Sequence, residues 1–258
     1  MLRFLYNYQV ITSFSSAVTT HALMLRCQPA VNAMQHIDEE HLVIPHAFRM
    51  NRGFDAYGNR IIYGGTMIPH SSLAYVSSGI VAQGEYVIPD CSPATYYRIP
   101  SRLTAPSKEM EETVIEGTEA VGITPYDKAL LISKKVNSMI EYCPLSTGIT
   151  TTAAEAFAMK KGVCQDYAHI MVSLCRLHGI TARYANGFII GEGVTHAWVE
   201  VHDGYAWRAI DPTHDTFIYS GYIKLAHGRD ALDCTVDRGL FTGVTSQKTE
   251  ISVTVVAL

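Results

Sequence analysis

The segment Thr195-His196-Ala197-Trp198-Val199-Glu200-Val201-His202-Asp203-Gly204-Tyr205-Ala206-Trp207-Arg208-Ala209-Ile210-Asp211-Pro212 constrains the fold more than any other stretch of the chain. Two runs rich in β-branched and aromatic residues flank Asp203-Gly204, a dipeptide that suits a tight turn because both central positions must enter φ > 0. A turn centred there opposes His202 with Tyr205, Val201 with Ala206 and, further out, His196 with Asp211. Directly opposed side chains have Cβ atoms about 4.5–5.5 Å apart, close enough for a carboxylate to hold an imidazole. His196, Trp198, Glu200 and His202 then share one face with Tyr205, Trp207, Ala209 and Asp211. The other face carries Ala197, Val199 and Val201 against Ala206, Arg208 and Ile210, mostly core material. Trp198 and Trp207 fall on the His196 face, where they serve either as aromatic core or as walls of a channel.

Upstream lies Gly162-Val163-Cys164-Gln165-Asp166-Tyr167-Ala168-His169. Tyr167, Ile170/Met171, Leu174 and Leu177 recur at helical spacing, and Gly179 supplies the stop. Cys164 falls on the first turn, where the positive end of the helix dipole favours thiolate over thiol. Cys175, deeper in the same helix, lacks that position. The chain has six cysteines (Cys27, Cys91, Cys143, Cys164, Cys175 and Cys234) and no C-x-x-C pair. Five of them read as small hydrophobes. Cys164 is set apart by its place at a helix start, and Asp166 in the same turn reads as a cap.

A single histidine opposite an aspartate is more often structural than catalytic. Here a helix-start cysteine, a cross-strand His–Asp pair and a short sequence interval coincide. A thiolate attacks an amide or ester carbonyl to give a thioester. An imidazole moves the proton between thiol and leaving amine. A carboxylate fixes the imidazole tautomer and steadies its cationic form. The developing oxyanion needs fixed donors; the Cys164 N–H is one, and the sequence leaves the second open, an upstream aromatic or amide side chain such as Tyr142 being the type that would serve.

Composition narrows the partners. A net charge of −4 with 17% charged residues offers no basic footprint for nucleic acid or an anionic membrane. The apolar start Met1-Leu2-Arg3-Phe4-Leu5-Tyr6 is interrupted by Asn7, Gln9 and Thr12 before a secretory core forms, and no run is long enough to span a bilayer. With no disulfide framework evident, a cytoplasmic location is expected. No cofactor or metal is expected. His36, His41 and His46 lack H-E-x-x-H spacing, and Asp38-Glu39-Glu40 and Glu109-Glu111-Glu112 lack that of a calcium loop.

Organisation along the chain suggests two parts. Residues 1–101 read as a β-rich domain, an N-terminal sandwich. Tyr6, Tyr8 and Val10 alternate, Ala22 to Cys27 does the same, Gly58-Asn59 is a turn tip before Ile61-Ile62-Tyr63, and Leu73–Val81 is a further strand. After Ile99-Pro100 the pattern turns helical over 108–119 and again over 125–141, where Thr124 suits the cap and Pro125 the first turn. Residues 102–258 are thus expected to form an α+β core in which the Cys164 helix packs on an antiparallel sheet containing the 196–211 hairpin.

The motifs Gly-Val-Cys-Gln-Asp-Tyr-Ala-His at 162–169, His-Ala-Trp-Val-Glu-Val at 196–201 and Asp-Pro-Thr at 211–213 resemble the core of the bacterial transglutaminase-like proteins, within the wider papain-like superfamily. Thr150–Phe157, His227-Gly228-Arg229-Asp230 and Asp55-Ala56-Tyr57-Gly58-Asn59 are similar to flanking segments of that family. The resemblance implies a papain-like, transglutaminase-like core with Cys164 as nucleophile, His196 as base and Asp211 as orienting acid. It implies a peptide or protein substrate attacked at an amide. Release of the acyl group by water would make a cysteine protease-type hydrolase, and release by an amine a transglutaminase. A non-catalytic scaffold is the third class, disfavoured by three intact residues. With no calcium loop evident, hydrolysis is the expectation, and the oligomeric state is left open.

Overall fold

One strand organises the first half of the computed structural model, which describes residues 1–258. Along β1 (Leu2–Leu25), Phe4, Tyr6, Tyr8 and Val10 are buried while Leu5 and Ile11 face outward, the period-two pattern of a strand with one covered face. There follow β2 (Gln35–Val43), β3 (Arg49–Phe54), β4 (Arg60–Thr66), β5 (His70–Gln83) and β6 (Val87–Pro89). The Leu73–Val81 strand is part of β5. The Gly58-Asn59 tip is a true turn, with Gly58 at φ +79° and Asp55 Oδ1 accepting from the N–H groups of Tyr57 and Asn59.

The second half begins with α1 (Lys108–Glu111), α2 (Pro125–Met139), β7 (Glu141–Tyr142), α3 (Ala153–Met159), β8 (Lys161–Gly162) and α4 (Cys164–Leu177). Then come β9 (Ala182–Ile189), β10 (Gly191–Gly193), β11 (His196–His202), β12 (Ala206–Asp211), β13 (Thr216–Ile218), β14 (Tyr222–Gly228), β15 (Asp237–Thr242) and β16 (Gln247–Ala257). Thr124 caps α2 by accepting from the Asp127 N–H, with Pro125 in the first turn as expected. The helix anticipated over 108–119 is only α1. Thr113 Oγ1 turns back onto the Glu109 carbonyl, and Gly117 adopts φ +84°.

The fold is α+β, with two corrections to the expected arrangement. The N-terminal sheet is not a separate sandwich but an eight-stranded system bent about β1. Residues 2–14 of β1 lie between β5 and β16, whereas His21–Leu25 lie between β4 and β15. The register shifts between Ser13 and Val18, and Thr20 takes φ +49°, so the strand turns a corner and serves both wings. The boundary at 101/102 is also crossed. β15 and β16 return from the C-terminus to pair with β1, and β6 pairs with β12. The physical reason is that β1 presents a long second edge whose backbone groups need partners, and residues 237–257 supply them. One apolar cluster joins Tyr6, Tyr8, Tyr75 and Val253 to Phe188, Ile223 and Leu225 of the second half.

The second sheet is antiparallel, in the order β13-β12-β11-β9-β14 with β6 beside β12. The largest core packs α2 and α4 against it, through Ile132, Val136, Ile170, Leu174, Val199 and Ile210. Buried Arg176 of α4 anchors the connecting segment by donating to the Tyr97 carbonyl, Thr104 Oγ1, and the carbonyls of Ala182 and Arg229.

Candidate active site

Cys164 is the first residue of α4, presented by a tightly built approach. β7 and β8 pair in parallel, setting Tyr142 beside Gly162. Buried Asp166 turns its Oδ2 back to accept from the Val163 N–H at 2.8 Å and from Thr147 Oγ1 at 2.6 Å. It is the cap anticipated from sequence. A Cβ on Gly162 would sit 2.6 Å from Asp166 Cβ, so only glycine lets this capping side chain fold under the turn. Burial raises the Asp166 carboxyl, against the lowering effect of Thr147 and the Val163 N–H. The Cys164 N–H precedes the helical hydrogen-bond ladder and points outward from the helix start.

The hairpin forms with its register displaced by two residues from the expectation. Val199 pairs with Ile210, Val201 with Arg208 and His202 with Trp207. The turn is centred on Gly204-Tyr205, with Gly204 at φ +114° as the glycine-first hairpin turn requires. Asp203 does not enter the turn centre because its carboxylate accepts from the N–H groups of Tyr205 and Ala206 and from Arg208. A shift of two preserves the faces. His196 and Asp211 are therefore diagonal rather than opposed, and still meet: Nε2 donates to Asp211 Oδ2 at 2.8 Å.

Asp211 is fully buried and saturated. Its Oδ2 also accepts from His214 Nδ1 at 2.7 Å and Tyr222 Oη at 2.8 Å, while Oδ1 takes the Thr213 N–H at 2.8 Å. Burial alone would raise this carboxyl, but the hydrogen bond and charge of His196, with His214 and Tyr222, hold it well below the carboxylate range. Burial alone would likewise lower His196; Asp211 and the neighbouring Cys164 outweigh it and lift the imidazolium to about 9. With Nε2 committed to Asp211, Nδ1 is the ring nitrogen left for the thiol.

Sequence reasoning missed His214 and Tyr222. His214 stacks on His196 with ring centroids 5.2 Å apart. Its signal was the spacing Asp211-x-x-His214, a turn closing directly on the aspartate. Tyr222 carried no local signal, because β14 reaches Asp211 only through the sheet. The ligand atoms of His196, Asp211 and His214 lie within 4.8 Å of one another, the one trio a metal ion could use. Both rings donate to Asp211 there, beside a cysteine, which is the geometry of a thiol site. His36, His41 and His46 are not gathered into any such group.

Cys164 and His196 open into a cleft of about 400 Å³ whose walls include Tyr142, Ile189, Glu192 and His214. Tyr142 stands next to Cys164: its phenol is raised first by burial and then by the cysteine's charge. Trp198 and Trp207 do not line this cleft. Both are at most 1% exposed and pack elsewhere, which removes them as walls of a substrate channel.

A helix-start cysteine, a buried His–Asp pair and an antiparallel sheet backing the helix together define a transglutaminase-like fold. Residues 113–212, a stretch that contains Cys164, His196 and Asp211, match the transglutaminase-like superfamily. A crystal structure of a candidate cysteine protease from Cytophaga hutchinsonii superimposes over 100% of this chain and 91% of its own, with a TM-score of 0.81 at 21% identity, which shows the fold. The uncharacterized protein ML0607 of Mycobacterium leprae is 27% identical over 255 residues, covering 89% of this chain and 90% of its own. The uncharacterized protein Rv2569c of Mycobacterium tuberculosis is 30% identical over 142 residues, or 48% of this chain and 45% of that relative.

Proposed function

We propose that this protein is a thiol hydrolase that cleaves amide bonds of peptide or protein substrates through a thioester acyl-enzyme. The observation that carries the reading is the buried Asp211–His196 hydrogen bond, which holds an imidazolium against the Cys164 thiol at a helix N-terminus. With His196 lifted to about 9, the imidazolium predominates at neutral pH beside the Cys164 sulfur. In the proposed cycle Cys164 Sγ bonds to the scissile carbonyl carbon and the carbonyl π pair moves to oxygen. The Cys164 N–H and the Tyr142 hydroxyl stabilise that oxyanion. His196 then passes its proton to the departing amine, the C–N bond breaks and a thioester remains. Neutral His196 next takes a proton from water, whose oxygen attacks the thioester and releases acid and free thiol. Asp211 stays ionised throughout and keeps the ring oriented.

The deciding experiment incubates the protein with a mixed peptide pool and a labelled primary amine, with Cys164→Ala as control, and reads products by mass spectrometry. Cleaved or deamidated peptides without amine adduct, absent from the control, are expected. Amine adducts on glutamine would replace the hydrolase by a transglutaminase. Equal products from Cys164→Ala would remove the thiol mechanism altogether.

A further inference from the structure

A second cavity, of about 360 Å³, shares no lining residue with the catalytic cleft. Its polar part is formed by Arg183, Lys224 and His227, and its apolar part by Trp207, Phe54 and Ile88. Fully buried Glu200 accepts from Arg183 Nε and, with both oxygens, from Lys224 Nζ, and it also accepts from Tyr86 Oη. One carboxylate thus serves two buried cations. Arg60, also on the wall, is satisfied bidentately by Glu40. The one wall carboxylate, Asp90, accepts hydrogen bonds from the Trp207 Nε1–H and the Ser92 N–H and none from Arg183, though its charge acts on Arg183.

Arg183 is the telling residue. It is 5% exposed, its guanidinium lies 3.9 Å over the Trp207 ring, and only its Nε has a hydrogen-bond partner within the protein. Arg183 lines the cavity, and Nη1 and Nη2, the two ends of a planar fork, make no hydrogen bond within the protein and are not sealed from solvent. The ligand that best matches such a fork on a cavity wall is a planar carboxylate taken by two parallel N–H···O bonds. Stacking on Trp207 fixes the plane of that fork. The apolar wall beside it would receive a hydrocarbon body, and the volume falls in the range of small-molecule sites.

We propose that this cavity binds a small organic carboxylate, its head on the Arg183 fork and its apolar body against Trp207, Phe54 and Ile88. The proposal is independent of the chemistry assigned to Cys164. Titration calorimetry at fixed ionic strength tests it, using benzoate and hexanoate as probes, with benzamide and inorganic phosphate for comparison. Both carboxylates are expected to bind saturably, with benzamide and phosphate weaker by about tenfold or more. Arg183→Lys keeps a cation for Glu200 but loses the fork, and is expected to weaken benzoate by at least about tenfold. Val31 is a rim residue 61% exposed, so Val31→Phe narrows the mouth without touching the core and is expected to weaken both carboxylates. Heats of dilution alone for both carboxylates would overturn the proposal. So would benzamide or phosphate binding as well as benzoate, or a folded Val31→Phe binding both carboxylates as the unaltered protein does.

Discussion

Asp211→Asn isolates what the carboxylate contributes, because the side chain keeps its shape and loses its charge and one acceptor. In the native site Oδ2 takes three side-chain donors and Oδ1 takes backbone N–H groups. An amide has a single oxygen, so either orientation of asparagine turns its NH₂ against existing donors, a conflict worth about 1–3 kcal/mol. The charge matters as much. Lifting His196 from 6.5 to about 9 corresponds to about 3 kcal/mol favouring the imidazolium in the folded protein. Without Asp211 the burial that lowers this ring is unopposed by its main partner, so the ring should titrate near or below its ordinary value. Because the folded value is raised, the stabilisation is fully present below pH 6.5 and is lost as pH rises through about 9. The depressed Asp211 carboxyl expresses the same interaction from its other end, and the two are not added. Two assays read this without a known substrate. The unfolding free energy of the native protein minus that of Asp211→Asn should shrink by about 3 kcal/mol between pH 6.5 and 9. Iodoacetamide labelling of Cys164 at neutral pH should slow sharply in the variant, with buried Cys175, its thiol pushed up to about 12, as the unreactive internal standard. A pH-independent stability difference, with unchanged Cys164 labelling, would refute the ion-pair reasoning.

Other expectations follow from the geometry. Tyr142→Phe removes the proposed second oxyanion donor and should lower kcat about a hundredfold with little change in KM, leaving Cys164 labelling intact. Gly162→Ala places a methyl 2.6 Å from Asp166 Cβ and should dislodge the cap, lowering the urea midpoint and slowing Cys164 labelling together. Arg176→Met strips the Tyr97, Ala182 and Arg229 carbonyls and Thr104 of a buried donor, and should cost about 3 kcal/mol in urea unfolding; a loss within 0.5 kcal/mol, the usual range for surface substitutions, would show that the connecting segment is held by other contacts.

What the sequence made legible was local or periodic. The helix that begins at Cys164, its Asp166 cap and the shared face of His196 and Asp211 all rest on patterns within a single element or hairpin. The last of these survived a wrong turn centre because strands repeat every two residues: displacing the register by two moves every partner and flips no face. A displacement of one would have put His196 and Asp211 on opposite sides of the sheet. What stayed hidden depended on distant pairing. Nothing near Gln247–Ala257 says that it will run beside Leu2–Phe14, and its mostly exposed side chains carry a weak alternation. Tyr222 is hidden for the same reason, since its hydrogen bond to Asp211 exists only because β9 stands between β14 and the hairpin. The Arg183 cavity is the sharpest case. Arg183, Trp207 and Lys224 sit on three different strands, each unremarkable in its own run, and their meaning comes from Arg183 and Lys224 sharing Glu200 while Arg183 lies over Trp207. Short-range patterns thus locate a nucleophile and its base, whereas the charge balance of a buried site is a property of the assembled sheet.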